Sequence, residues 1–207
     1  MKKDSFVKDA LVLTLITLIA GVLLGATYGA TKVKIEETNR AATMKAYAAV
    51  VKADKYDEDS GKELLAKAVT DGTIAADNGG CGLLSVAYAE DASDKIVGYI
   101  VTAQTNGYGG YDKVVVGIGA DLKVTGISYP EALPETPGLG QKATQESFYG
   151  QFAGKGSKLK VVKSGQGSGA DDEIDAISGA TITSKAVTNT VNGATEFVEN
   201  YVLKEAK

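Results

Sequence analysis

The chain has 207 residues and a net charge of −4, which is enough length for one folded domain with additional segments. It contains no His and no Trp, which excludes a Ser-His-Asp triad and most catalytic zinc sites. A single cysteine, Cys81, excludes an intrachain disulfide and an iron–sulfur cluster ligated by this chain alone, and the scattered lysines argue against a nucleic-acid partner.

The first 31 residues predict a polar tail followed by a membrane span. Residues 1–9 contain three lysines, whereas residues 10–31 carry no charge and are rich in Leu, Ile and Val. A helix of roughly 20 apolar residues is long enough to cross a bilayer. A cleaved signal peptide is the competing interpretation, but its apolar core is usually shorter. Three cations also follow the span by residue 40, so charge alone gives no orientation.

Residues 32–82 predict a helical stalk and connector. The segment from Lys32 to Lys52 is rich in Ala and has no Pro or Gly, which predicts a helix that can continue the membrane span. Gly61 to Val69 predicts a second short helix, and Cys81 is expected in a Gly-rich turn from Asn78 to Gly82. Two interpretations stay open for the helices: a stalk that packs against the domain, or an interface with a partner subunit.

Residues 83–207 predict a domain in which helices pack on a curved antiparallel sheet. β-branched and aromatic runs flank turns at 91–94 and 119–121, which predicts two hairpins between residues 83 and 129. Further expected elements are a helix over Gln145–Phe152, a strand over Lys158–Lys163, another strand before Ser178, and a final helix with its apolar stripe from Val187 to Tyr201. The fold class is therefore α+β, with a single N-terminal transmembrane helix.

The final helix is preceded by a small, hydroxyl-rich segment, Asp175 to Ser184. A helix N-terminus presents unpaired backbone N–H groups and the positive end of the helix dipole, which favours an anion such as phosphate. Gly179 and Ala180 leave room for a bulky group to approach the backbone, and Thr181 offers a hydroxyl in the same place. The residues alone leave two interpretations open: a phosphate site, or hydroxyl side chains that only cap the helix.

Two Gly-rich loops come earlier in the chain. One reads Asn-Gly-Tyr-Gly-Gly-Tyr over residues 106–111, and the other reads Glu-Thr-Pro-Gly-Leu-Gly over residues 135–140. Glycine lets a flat ligand approach the backbone, and Tyr108 or Tyr111 can stack on an aromatic ring. Each loop taken alone is equally typical of an ordinary turn.

The three motifs in this order resemble the FMN-binding domain of the G subunits of Rnf-type complexes, and of the related C subunits of sodium-translocating NADH:quinone reductases. The resemblance covers residues 85–201. In that family a flavin transferase joins FMN through a phosphoester to the last threonine of Ser-Gly-Ala-Thr, which implies covalent FMN on Thr181. The resemblance also implies cofactor-binding roles for Asp175, Ser178, Gly179, Ala180 and Thr183 in the last motif, and for Gly107, Tyr108, Glu135, Thr136, Gly138 and Leu139 in the two loops.

The resemblance further implies a membrane-anchored electron-transfer subunit of a ferredoxin:NAD oxidoreductase that is coupled to sodium or proton translocation. No catalytic residue and no metal ligand is expected in this chain. The expected partners are the other membrane, iron–sulfur and flavin subunits of the complex, together with the flavin transferase that matures the chain. The expected location is the inner cell membrane, with residues 1–9 in the cytoplasm and the FMN domain on the extracytoplasmic side.

Three alternatives remain. The first is the C subunit of a sodium-translocating NADH:quinone reductase, which shares the motifs. The second is an anchored scaffold that binds no flavin. The third is a hydrolase in which Thr181 or Ser178 is the nucleophile, with Lys185 as the nearest candidate base along the sequence.

Overall fold

The computed structural model describes residues 3–70 and 81–202, with side chains from residue 7 onward. Helix α1 (Lys3–Val50) joins the predicted span and the predicted stalk helix in one continuous element. From Val7 it is long and apolar enough to cross a membrane, and the apolar side chains of this part are exposed. The contacts divide the chain into two units, Met1–Ala41 and Ala42–Lys207. The boundaries at residues 9, 31 and 82 stay predictions.

A five-stranded antiparallel sheet forms the centre of the second unit. In spatial order its strands are β1 (Lys55–Asp57), β2 (Cys81–Glu90), β3 (Ile96–Asn106), β4 (Tyr111–Gly119) and β5 (Val124–Ser128). Both predicted hairpins are confirmed, because β2 pairs with β3 and β4 pairs with β5. The edge strand β1 was not predicted, since a three-residue segment shows no measurable periodicity.

Both faces of this sheet are covered, which explains why its strands are apolar without alternation. Val114 and Val116 point into the larger core, which contains most of the buried residues of the unit. Val115 between them points to the opposite face, where it packs in a cluster with Tyr47 and Val50 from the end of α1. The last turns of α1 therefore pack on the sheet as part of the second unit.

The remaining elements cover the other face and the end of the sheet. They are helix α2 (Glu58–Thr70), a 3₁₀ turn (Gly140–Thr144), helix α3 (Glu146–Tyr149), a second 3₁₀ turn (Gly150–Phe152), strands β6 (Lys160–Val162) and β7 (Glu173–Asp175), and helix α4 (Thr181–Phe197), which continues as a π-helical turn (Val198–Val202). The predicted helices and strands in this region are all present. Strands β6 and β7 form a separate parallel pair and do not join the main sheet.

Helix α4 packs on the core face with the apolar stripe that the sequence predicts. Val187, Val191 and Val198 are fully buried. Cys81 was expected in a turn, but it is the first residue of β2 and is buried against α4. A Cβ on Gly193 would lie 2.7 Å from Cys81 Sγ, so the small residue on α4 makes room for the thiol. The rest of the expected turn, residues 78–80, lies outside the described residues.

Candidate functional site

The three sequence motifs converge on one pocket of about 500 Å³. The turn between β3 and β4 supplies Tyr108, the loop after β5 supplies Glu135, Thr136, Leu139 and Gly140, and the start of α4 supplies Gly179, Ala180, Thr181, Ile182 and Thr183. This volume falls within the range of ~300–1,000 Å³ that is typical of small-molecule sites. Motifs that lie far apart along the chain are thus brought together by the strand order of the sheet.

The Glu135 carboxylate, which belongs to the second motif, forms hydrogen bonds with the other two. Its side chain is only 5% exposed. Its Oε1 accepts a hydrogen bond of 2.7 Å from the backbone N–H of Tyr108, and its Oε2 accepts one of 2.9 Å from the Thr183 hydroxyl. Hydrogen bonds to a charged group are the stronger ones in proteins, so this carboxylate holds the β3–β4 turn against α4. Both of its oxygens are therefore already occupied by the chain.

Two glycines are required by the packing around this carboxylate. A Cβ on Gly107 would collide with the side chains of Asp112 and Glu135. A Cβ on Gly140 would collide with Glu135 Oε2 and would lie 2.7 Å from Thr183 Oγ1. The steric reason for these glycines is thus a buried carboxylate rather than the approach of a ligand.

Ser184 stabilises the start of α4, and the exposed hydroxyls do not. The N-cap residue is Ala180, which has no side chain that can accept a hydrogen bond. Ser184 Oγ instead accepts the Ile177 N–H and donates to the Ala180 carbonyl oxygen, each at 2.9 Å. Ser178 and Thr181 are exposed. The interpretation that these two hydroxyls serve as helix caps is therefore wrong.

Asp175 and Ser178 lie beside the pocket rather than in it. They line an adjacent cleft of about 590 Å³, which also includes Lys142 and Gln151. Asp175 Oδ1 accepts a 2.9 Å hydrogen bond from the N–H of Gly167. Gln151 accepts the Asp175 N–H at 2.7 Å and donates to its carbonyl oxygen at 3.3 Å. The carboxylate therefore holds the loop between β6 and β7 in place.

The other expected site residues fall into two groups. Tyr108, Glu135, Thr136, Leu139, Gly179, Ala180, Thr181 and Thr183 all line the pocket. Gly107 lies against the Glu135 carboxylate without lining the pocket, and Gly138 lines a separate hollow of about 370 Å³. Gly140, which the second Gly-rich loop indicated as a glycine that lets a ligand approach, also lines the pocket. Sequence reasoning missed Ile182 as a lining residue.

Asp112 is the functional candidate that no sequence motif indicated. This side chain from β4 is fully buried, and neither of its oxygens accepts a hydrogen bond from an N–H or hydroxyl group. Burial, the negative charge of Glu135 and a hydrogen bond with the Glu135 side chain raise the pKa of Asp112 to about 7. Burial, and to a smaller extent the charge of Asp112, also raises the pKa of the Tyr129 phenol well above its usual range.

The chemistry of the pocket fits a flavin with a phosphorylated tail. The side chains of Tyr108, Leu139 and Ile182 are exposed at 71%, 43% and 53%, and they offer aromatic and apolar surface to a flat ring. The first N–H groups of α4 have no acceptor within the helix, and they lie where Thr181 presents its hydroxyl. Among the described residues that line the pocket, the only carboxylate is that of Glu135, and each of its oxygens accepts a hydrogen bond from the chain.

Comparisons with known proteins agree with the motifs. The family model described as FMN-binding domain matches residues 107–196. The G subunit of the Na(+)-translocating ferredoxin:NAD(+) oxidoreductase complex of Acetobacterium woodii is 36% identical over 196 residues, which cover 93% of this chain and 91% of that protein. The G subunit of the proton-translocating ferredoxin:NAD(+) oxidoreductase complex of Clostridium ljungdahlii is 42% identical over 115 residues, which cover 55% of this chain and 60% of that protein.

The fold also resembles a solved structure. The crystal structure of NqrC from Shewanella oneidensis superposes with a TM-score of 0.50 and 25% sequence identity. The superposition covers 59% of this chain and 61% of that one. The α+β architecture expected from the sequence is therefore confirmed.

Proposed function

Because this chain belongs to the family of G subunits of ion-translocating ferredoxin:NAD(+) oxidoreductase complexes, we propose that it is a membrane-anchored electron-transfer subunit that carries FMN covalently on Thr181. The observation that carries the proposal is the placement of the exposed Thr181 hydroxyl. It opens into the pocket that the two Gly-rich loops also line. A threonine that only capped a helix would not need this pocket beside it.

The residues of the pocket have distinct tasks in this proposal. Thr181 Oγ1 holds the phosphate in a phosphoester, and the first N–H groups of α4 offset its negative charge. Tyr108, Leu139 and Ile182 offer the surface against which the ring rests. Bound FMN would supply reversible uptake and release of electrons. The covalent link keeps the cofactor at the membrane surface.

The family also supports the proposed partners and location. We infer that the chain works with other membrane, iron–sulfur and flavin subunits of a complex, and that a flavin transferase loads it. Helix α1 anchors it, and the FMN domain lies on the extracytoplasmic side. The A. woodii relative is named for sodium translocation and the C. ljungdahlii relative for proton translocation, so the proposal extends to ion translocation without a choice of ion.

Intact-protein mass spectrometry tests the attachment directly. When the full chain is coexpressed with a flavin transferase, we expect its mass to rise by one FMN less one water and its gel band to fluoresce. Thr181→Ala should show neither change. Thr144→Ala, which alters another exposed threonine of the same unit, should be loaded like the wild type. An unmodified wild-type chain beside an active transferase would contradict the proposal and favour a flavin-free scaffold.

Cysteine labelling tests the orientation. The only native cysteine is 2% exposed, so a new thiol can be labelled against a low background. Ser93→Cys places this thiol in the exposed turn between β2 and β3. A membrane-impermeant maleimide should label this variant in intact cells, and it should label Ser5→Cys in the N-terminal tail only after lysis. The reverse pattern would place the FMN domain in the cytoplasm.

A further inference from the structure

Two carboxyl groups meet beside the pocket. A Cβ on Gly107 would collide with Asp112 Oδ2 and with Glu135 Oε1, so both oxygens lie against the same point of the β3–β4 turn. Asp112 is 0% exposed and Glu135 is 5% exposed, so both carboxyls are largely removed from bulk water. Two like charges this close in a poorly hydrated place disfavour double ionisation. The pair therefore has a strong tendency to hold one proton.

Hydrogen bonding decides which carboxyl binds that proton. Glu135 accepts hydrogen bonds from the N–H groups of Tyr108 and Gly109, at 2.7 and 3.4 Å, and from the hydroxyl of Thr183. Glu135 therefore has a hydrogen-bond donor of the chain on each of its two oxygens. Both oxygens of Asp112 are buried and accept no hydrogen bond from an N–H or hydroxyl group, so nothing comparable stabilises its charge. The proton of the pair accordingly belongs on Asp112, which can then donate it to Glu135.

The described groups around the pair are uncharged or are paired with another carboxylate. On β3, Thr105 stands opposite Asp112, and its hydroxyl accepts a 2.8 Å hydrogen bond from Thr190 of α4. Tyr129, after β5, is the other titratable group that senses the charge of Asp112. The neighbouring Lys113 is paired with Glu131 at 2.9 Å. Within the described residues, no ion pair joins Lys or Arg to Asp112 or Glu135.

We propose that Asp112 is a proton-binding group that responds to charge in the pocket, with the Glu135 carboxyl as its neighbour. The inference rests on the proposed function, because FMN on Thr181 would bring the changing charge. An outside electron carrier of the complex supplies each electron, and the electron stays on the cofactor. A hydronium ion of the solvent gives one proton to the Asp112 carboxylate: its O–H bond breaks and leaves water, an O–H bond forms on Asp112, and the charge of the pair changes from −2 to −1. The proton bound by Asp112 thereby offsets the negative charge that the cofactor gains in the pocket.

The group is suited to this task at neutral pH. The pKa of Asp112 is raised to about 7 by burial, by the charge of Glu135 and by the hydrogen bond between the two side chains. A single added charge at a separation of ~10 Å and an effective dielectric constant of ~20 changes a proton affinity roughly tenfold. Proton uptake by Asp112 would then follow reduction between about pH 6 and pH 8.

A titration of the chain without cofactor tests the first half of the inference. The full chain, expressed without the transferase and labelled with ¹³C at aspartate carboxyls, would be followed by NMR in detergent micelles from pH 4 to pH 9. Asp112→Asn, which preserves the shape of the side chain, identifies the resonance by its loss. Asp121→Asn, an exposed aspartate after the same strand, should leave it in place. We expect a midpoint near 7, and a midpoint below about 5 would overturn the inference.

Potentiometry of the loaded chain tests the second half. The midpoint potential of the wild type should fall more steeply with pH around neutrality than that of Asp112→Asn. The largest extra slope for one proton and one electron is a tenfold change in the redox equilibrium per pH unit, ~59 mV. Asp121→Asn should follow the wild type, and identical pH curves for the wild type and Asp112→Asn would overturn the coupling.

The two measurements separate the two proposals. Mass spectrometry on the same samples reports whether FMN is attached at all. A chain that carries no FMN beside an active transferase contradicts the proposed function, and the coupling fails with it. The NMR midpoint of the chain without cofactor still decides whether Asp112 holds a proton at neutral pH.

Discussion

The pocket has an exposed rim and a buried floor, which differ in what their polar groups do. The rim consists of Tyr108, Leu139, Thr181 and Ile182, all of which are exposed. The floor is defined here as Glu135 and Thr183, which line the pocket, together with Asp112 and Ser184, which do not line it; all four are buried. Glu135 and Ser184 accept hydrogen bonds from N–H groups, and Thr183 donates one to the Glu135 carboxylate, whereas the rim presents its side chains outward.

Thr181 and Thr183 illustrate the difference between the rim and the floor directly. They are the same residue type two positions apart, but Thr181 belongs to the rim and Thr183 to the floor. The Thr183 hydroxyl binds a carboxylate inside the protein, and the Thr181 hydroxyl is exposed to the pocket. Substitutions in the floor are therefore expected to change the free energy of unfolding, and substitutions in the rim are expected to change the attachment of FMN.

The largest expected effect on the floor is a change in pH dependence. The pKa of Asp112 is about 7 in the folded state, against 3.8 for an ordinary aspartate, so between these values the folded state binds more protons than the unfolded state. The free energy of unfolding should therefore fall as pH rises, by at most ~1.4 kcal/mol per pH unit and roughly 4 kcal/mol in all. Asp112→Asn should lack this decline. Urea unfolding of the full chain in detergent, from pH 4 to pH 8, measures the difference, and parallel curves would contradict it.

A smaller effect is expected at the start of α4. Ser184→Ala removes the oxygen that accepts the buried Ile177 N–H, and an unpaired buried donor costs ~1–3 kcal/mol. Thermal unfolding of the full chain should show this loss. Asn189→Ala, at an exposed position of the same helix, should change the free energy of unfolding by less than ~0.5 kcal/mol. Equal effects of the two substitutions would remove the special role of Ser184.

The paired threonines give the most direct test of the comparison. Thr183→Val removes a donor to the buried Glu135 carboxylate and should lower the free energy of unfolding by ~1–2 kcal/mol. Thr181→Val makes the same chemical change on the rim and should stay within ~0.5 kcal/mol, while it abolishes the attachment of FMN. Urea unfolding should show a clear loss of stability only for Thr183→Val, and intact mass should show a loss of FMN attachment only for Thr181→Val. A destabilised Thr181→Val would mean that the rim also supports the fold.

The smallest effect is expected for the aromatic side chain of the rim. Glu135 binds the backbone N–H of Tyr108, and Tyr108→Ala keeps that donor. Because the side chain is 71% exposed, the free energy of unfolding should change by less than ~0.5 kcal/mol. Flavin fluorescence should rise if the ring stacks on Tyr108, since the substitution removes the aromatic neighbour. A large loss of stability would show that the phenol ring packs more than its exposure indicates.

Local sequence patterns were sufficient to predict the two hairpins and the last helix. The runs around the turns at 91–94 and 119–121 predict β2 to β5, and the stripe from Val187 predicts α4, because each pattern is carried by neighbouring residues. Strand β1 escaped prediction because three residues, Lys-Tyr-Asp, show no period and become a strand only by pairing with β2. The parallel pairing of β6 with β7 is likewise a long-range contact that composition does not indicate.

Part of the candidate site could likewise be predicted from local sequence, and part depends on long-range contacts. The motif around Thr181 indicates the attachment residue, because its order with the two Gly-rich loops is visible in the chain. No such pattern links Asp112 to Glu135, and their contact depends on how the β3–β4 turn meets the loop after β5. The structure likewise showed that Asp175 supports a loop and that Ser184, rather than an exposed hydroxyl, stabilises α4.

The sequence by itself determined an apolar N-terminal helix, an α+β domain and a threonine placed at a helix start, because periodicity, turn residues and helix ends are local properties. Only the tertiary structure decided which hydroxyls are buried, which glycines make room for Glu135, and that two carboxyls share one poorly hydrated place. Burial and long-range contact depend on the packing of distant segments, and they set both the stability of the floor and the proton affinity of Asp112.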